Sequence, residues 1–153
     1  MNLFTPAIKD NAGAQAAVRS WIEALRSGAY EQGTEKLARG DHDKRERYCC
    51  LGVACNLNRP DAWAYVSISE IDNEWVHDDQ ETMLAPAEVS WLRLTDECGS
   101  LHAPNPFVKE EDWEDGNTAL TTLNDTTTYR DAHIYTFKDI ADIIEWELEE
   151  AIK

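Results

Sequence analysis

Three of the chain's four cysteines fall within Tyr48-Cys-Cys-Leu-Gly-Val-Ala-Cys-Asn-Leu57, a run of small apolar residues that follows a stretch of mixed charge. Free cysteine behaves as a small buried hydrophobe more often than as a reactive group, so beside Leu51, Val53 and Leu57 the run reads as core. At helical spacing Cys50, Val53, Ala54 and Leu57 share one face, Gly52 permits close approach of a neighbour, and Pro60 ends the helix soon afterwards. Around such a helix a 153-residue chain forms one domain that buries roughly two thirds of its unfolded surface without covalent staples. Adjacent Cys49 and Cys50 can hardly bridge each other, and their spacing to Cys55 and Cys98 lacks a secreted disulfide pattern, so reduced thiols in a cytosol are expected. The start has no basic and apolar leader, and no stretch approaches the length that spans a bilayer.

Charge divides the chain unevenly. Residues 1–53 hold eight basic and seven acidic side chains, net +1, whereas residues 54–153 hold six basic and 23 acidic, net −17. Such a surface repels phosphate backbones and anionic membranes and attracts a basic protein surface, although acidity also serves solubility alone.

Periodicity gives an α-rich α+β domain with a small antiparallel sheet. Asn11 or Asp10 caps a helix to about Ser27, with Ala14, Ala17, Val18, Trp21, Ile22 and Leu25 as its apolar stripe and Gly28 as its stop. Residues 29–47 read as an exposed connection with a short strand. Alternation from Trp63 to Ile68 predicts a strand, with Glu74 to His77 and Glu81 to Leu84 as pairing partners. Pro86 opens a short helix through Val89, Trp91, Leu92 and Leu94. Gly99 to Gly116 reads as loop, and Thr118 or Asn117 opens a short helix that a left-handed Asn124 closes. The last helix starts at Thr136, with Asp139 placed for a capping box and Phe137, Ile140, Ile144, Leu148 and Ile152 as its apolar stripe.

The order Trp21-Ile-Glu-Ala-Leu-Arg-Ser-Gly-Ala-Tyr-Glu-Gln-Gly, then Tyr48-Cys-Cys-Leu-Gly-Val-Ala-Cys, then Leu84-Ala-Pro-Ala-Glu-Val, Leu120-Thr-Thr-Leu-Asn-Asp and Phe137-Lys-Asp-Ile-Ala-Asp-Ile-Ile-Glu resembles a family of small proteins of tailed bacteriophages and prophages. The resemblance implies genomic company, accessory genes that act on host defence or host machinery in the bacterial cytoplasm, and no particular activity. The chain departs from the family in its acidity and in insertions around Asp72 to Asp79 and Pro104 to Asp115.

The chemical motifs are thin. No nucleophile signature surrounds a cysteine, although His42, His77, His102 and His133 could serve as partners. Cys98 with His102, and Cys50 with Cys55, lack the tight paired spacing of structural zinc. Aligning Gly116 with the turn glycine of a calcium loop puts Trp113 at a ligand position, so that match fails. His77, Asp78 and Asp79 with Asp72 and Glu74 read as solvated loop charge. Neither a catalytic residue nor a cofactor nor a metal site is assigned. Arg39, Lys44, Arg45 and Arg47 form a candidate anion site for a phosphate-bearing nucleotide, unless they pair with the protein's own carboxylates, as Arg19 and Arg26 would also do.

Two indoles offer the other lead. Trp113 lies within Glu110-Glu111-Asp112-Trp113-Glu114-Asp115, and Trp75 stands between Glu74 and His77-Asp78-Asp79. Each is either an anchor for a basic partner or an indole folded back onto the domain. The expectation is a non-enzymatic protein that binds and inhibits a basic host protein through an acidic surface, DNA mimicry being its strongest form. Sequestration of a nucleotide signal through the four basic residues is the alternative, and a thiol- or metal-dependent enzyme the third.

Overall fold

The computed structural model describes residues 2–67, 69–126 and 134–153. After a 3-10 turn at Pro6–Asp10 come α1 (Ala12–Arg26), β1 (Ala38–Asp41), β2 (Lys44–Tyr48), α2 (Cys50–Asn58), β3 (Trp63–Ser67), β4 (Asn73–His77), α3 (Pro86–Leu92), β5 (Ser100–His102), β6 (Asn117–Ala119), α4 (Leu120–Asn124) and α5 (Phe137–Ala151). The class is α+β as expected. Its strands form three separate two-stranded antiparallel sheets, β1–β2, β3–β4 and β5–β6.

Both long helices follow from their ends and stripes. The Asn11 side chain accepts the Ala14 amide at 2.8 Å, and the six expected apolar residues of α1 are buried. Thr136 and Asp139 close the capping box of α5, satisfying amides that a helix start otherwise leaves unpaired. α1 packs along α5, and one continuous core joins them to α2, α3 and α4. Among the described residues no helix is long and apolar enough to cross a membrane.

α2 is buried on every side from Cys50 to Cys55, not on one face, while Leu57 is only half-buried. A Cβ on Gly52 would lie 1.8 Å from the Leu37 carbonyl oxygen, so the close approach expected of this glycine is made by the backbone that enters β1. Cys49 caps the helix, its sulfur accepting the Gly52 amide at 3.4 Å, and the Trp21 indole donates to the Cys50 carbonyl at 2.9 Å.

Four local readings change. Residues 29–47 do not form an open connection: Leu37 and Ala38 are buried, and the mixed-charge run becomes the β1–β2 hairpin. β3 and β4 pair as expected in the register Trp63–His77, Tyr65–Trp75 and Ser67–Asn73, but Glu81 to Leu84 is no strand, its backbone serving instead as support for Leu37 and Glu97. Ile68, the expected end of β3, and His133 lie outside the described residues. Within Gly99 to Gly116, Ser100–His102 is a strand, and its partner Asn117–Ala119 replaces the expected helix start.

Asn124 is the fourth. It sits in the last turn of α4 with its side chain fully buried. Its Oδ1 accepts the Cys50 amide at 3.2 Å and Gln32 Nε2 at 3.1 Å, and its Nδ2 donates to the Gly33 carbonyl at 2.9 Å and to Asp125 Oδ1 at 3.2 Å. A buried carboxamide with every donor and acceptor used is a structural tie rather than a cap.

Candidate functional site

The period-two alternation of β3 puts Trp63 and Tyr65 on one face, and the β4 register adds His77 and Trp75 beside them. β1 lies against β4, and the Trp75 indole donates to the Asp41 carbonyl at 2.9 Å, which fixes the two hairpins together. The result is a row of ring contacts along the surface. Tyr30 meets Tyr48 edge-on with centroids 5.1 Å apart, Tyr48 meets Trp63 at 5.9 Å, Tyr65 meets Trp75 at 5.2 Å, and His42 lies 6.4 Å from Tyr65.

Arg45 joins the two halves of the row. Its guanidinium carbon is 5.0 Å from the Trp63 ring centre and 4.8 Å from that of Trp75, and its Nε donates to the Tyr48 hydroxyl at 3.2 Å. Each ring pair is worth about 0.5–1.5 kcal/mol and each exposed cation–π contact about 0.5–1 kcal/mol, so the row is ordered before any partner arrives. Tyr30, Tyr48, Trp63, Tyr65 and Trp75 are half-buried, the first three packed with one side against the core, and His42 is exposed. The composition, tryptophan, tyrosine and arginine in one semi-exposed patch, is that of an interface anchor.

A buried polar knot holds the row to the core. His77 and Glu88 are both fully buried; Glu88 accepts Arg59 Nη2 at 2.6 Å, Arg59 Nε at 2.8 Å and Asn58 Nδ2 at 2.6 Å. Burial works to raise the Glu88 carboxyl, but the hydrogen bonds from Arg59 and Asn58 outweigh it and hold the group below its ordinary range. His77 Nε2 donates to the Arg59 carbonyl at 2.9 Å, and the imidazole abuts Trp63 with centroids 4.8 Å apart.

The residues singled out from sequence separate. Trp75 and Arg45, assigned to rival sites, stack on each other, with exposed Lys44 on the same hairpin. Arg39 donates to the Thr34 carbonyl at 2.9 Å and pairs with Glu35, and Arg47 pairs with Glu31 at 3.3 Å. Arg26 binds Asp142 at 2.7 Å and Glu145 at 3.0 Å, which places it in an internal network. A cavity of about 680 Å³ beside the row is lined by Lys44 and Arg45 but also by Glu31 and Glu46, a poor setting for phosphate.

The acidic insertion behaves differently. Glu110–Asp112 is a 3-10 turn; Asp112 accepts the Tyr135 hydroxyl, which in turn accepts the Lys109 amide at 2.9 Å. Trp113 packs half-buried against the core, so this indole folds back. Glu110, Glu111, Glu114 and Asp115 are exposed, and none of them forms an ion pair among the described residues. Asp78 pairs with Arg59 at 3.0 Å, and Asp79 is exposed beside it, both with left-handed backbone.

Sequence reasoning missed Tyr30, Tyr48, Trp63, Tyr65 and His42 as surface groups. The alternation of Trp63 and Tyr65 was readable, but the hairpin that brings Arg45 over it was not. The thiols offer no nucleophile: burial pushes Cys49 up to about 11 and Cys50 well above the ordinary thiol range, and it raises Cys55, with Glu88 adding to it, and Cys98, with Asp96 and Glu97 adding to it. Activation needs the opposite shift. Among the described residues Asp41, His42 and Asp43, all exposed at the β1–β2 turn, are a group of three spaced to hold a cation, but Asp41 Oδ1 already accepts the Asp43 and Lys44 amides.

No curated protein and no solved structure matches the chain. A family model described as Domain of unknown function (DUF8296) matches residues 14–148, and the chain belongs to that family.

Proposed function

We propose that this protein acts by binding rather than catalysis, gripping a basic protein partner with the Trp63–Arg45–Trp75 stack as anchor and its acidic surface as the steering field. The observation that carries the reading is the half-exposed row of rings with a guanidinium between two indoles. The row supplies rigid contact area with little side-chain entropy left to lose, and the net −17 of residues 54–153 speeds encounter with a positive surface. The resemblance to small phage proteins supports a bacterial host protein as partner, of a defence or nucleic-acid-binding class, met in the cytoplasm and inhibited by occlusion of its basic surface. The carboxylates lining the cavity beside Lys44 count against nucleotide sequestration at the same place.

Capture from host lysate at low and moderate salt tests the reading, with wild-type protein, Trp75→Ala, and a form carrying Gln or Asn at the five acidic positions between Glu110 and Asp115. The expected result is a basic protein retained by the wild type, lost from Trp75→Ala at both salts, and weakened at moderate salt by charge neutralisation. Retention of the same protein by all three forms, or of no basic protein by any, defeats the reading. A nucleotide that raises the melting temperature of the wild type would transfer the site to the rival ligand.

A further inference from the structure

A second site lies away from the aromatic row, between β5 and the C-terminal half of α5. A cleft of about 340 Å³ there is lined by Asn2, His102, Pro104, Trp146, Glu147 and Glu150 among others. Glu147 is only 6 % exposed, and its Oε1 has no hydrogen-bond partner among the described residues. A buried carboxylate oxygen without a donor is costly and uncommon, and it marks where a donor is wanted. His102 Nδ1 lies 2.9 Å from Asn117 Oδ1, so Nδ1 carries the proton of the neutral ring and Nε2 is left as an acceptor. Glu150 adds a second carboxylate, and no described lysine or arginine lines the cleft; Lys153 pairs with Glu150 at its edge.

We propose that this cleft binds a primary alkylammonium group, with Glu147 as its charge partner and the Trp146 indole against its alkyl stem. An ammonium offers three donors to a cleft whose two lining charges are both carboxylates, Glu147 and Glu150, and an indole both covers methylenes and attracts the cation. Burial pushes the Glu147 carboxyl up to about 7; the Leu3 amide, the Asn105 side chain and the positive charge of the N-terminus favour its charged form, and Glu150 opposes it. The bound cation requires the ionised carboxylate, while the amine stays protonated throughout this range. Binding therefore tightens as pH rises through 7.

The test is an NMR titration of the Trp146 indole N–H, assigned with Trp146→Phe, using n-butylammonium chloride at pH 6 and pH 8, with sodium chloride as the ionic-strength control. A saturable shift is expected, about tenfold tighter at pH 8 than at pH 6 and absent from Glu147→Gln. Nα-acetyl-lysine methylamide in a parallel titration separates the sources: equal binding means that any primary amine suffices, and tighter binding assigns the site to a lysine side chain. No shift beyond the salt control, equal affinity at both pH values, or undiminished binding by Glu147→Gln overturns the proposal. Should Glu147→Gln fail to fold, the Glu147 carboxyl carbon resonance of the wild type decides: saturating amine lowers its titration midpoint, and an unmoved midpoint is equally fatal.

Discussion

The segment around Trp113 and the hairpin around Trp75 both set an indole among carboxylates, yet the fold uses them in opposite ways. Trp113 is packed on the core, and its neighbour Asp112 is tied down by the buried Tyr135 hydroxyl. Trp75 stays at the surface, held by the Asp41 carbonyl and covered by Arg45. Local charge did not decide between them. What decided was whether the rest of the chain offered an apolar wall or a cation, since an indole gains from either.

The hairpin carrying Trp75 is not an independent flap, and the largest effect should show it. Glu88→Ala removes the knot under β4, leaving Arg59 with Asp78 alone and the Asn58 side chain without its acceptor; a loss of about 3 kcal/mol is expected, read by urea unfolding. Because the folded Glu88 carboxyl sits below its ordinary range, its contribution is present above the unfolded value near 4.5 and lost as pH falls through the folded one. The wild type should lose more stability on acidification than the isosteric Glu88→Gln. An unchanged slope would break the link between row and core.

Trp113→Ala should come next, at about 2 kcal/mol for a half-buried indole. Tyr135→Phe should cost about 1–2 kcal/mol, by leaving the Lys109 amide and the Asp112 carboxylate without the hydroxyl between them. Trp75→Ala should cost about 1–2 kcal/mol by thermal melting and yet remove partner capture. Reversal of that order, with Trp75 mattering most to stability and Trp113 most to binding, would exchange the roles of the two regions. The smallest effect belongs to Arg45→Lys. Its stability should stay within about 0.5 kcal/mol, while partner affinity falls because an ammonium cannot stack flat between two indoles.

The elements whose cause is local were readable. The Asn11 cap and the stripe from Ala14 to Leu25 announce α1, the Thr136 to Asp139 box announces α5, and the alternation at Trp63 and Tyr65 announces β3. Short strands were not: Ser100–His102 and Asn117–Ala119 are three residues each, too brief to show a period, and each is defined by the other. Asn124 misled for a related reason. A carboxamide near a helix end suits a left-handed cap, and only the arrival of Gln32, Gly33 and Cys50 from elsewhere turns it into a buried tie.

The sequence by itself determined the buried cysteine helix, the two long amphipathic helices and the acidity, because these depend on side-chain polarity and spacing along one stretch. Tertiary structure alone decided that Arg45 lies between Trp63 and Trp75, that Trp113 turns inward while Trp75 does not, and that Glu147 keeps a buried oxygen without a hydrogen-bond partner among the described residues. Each of those depends on a contact between residues far apart in the chain, where packing and the pairing of charge with polarisable rings select one neighbour among many that composition allows.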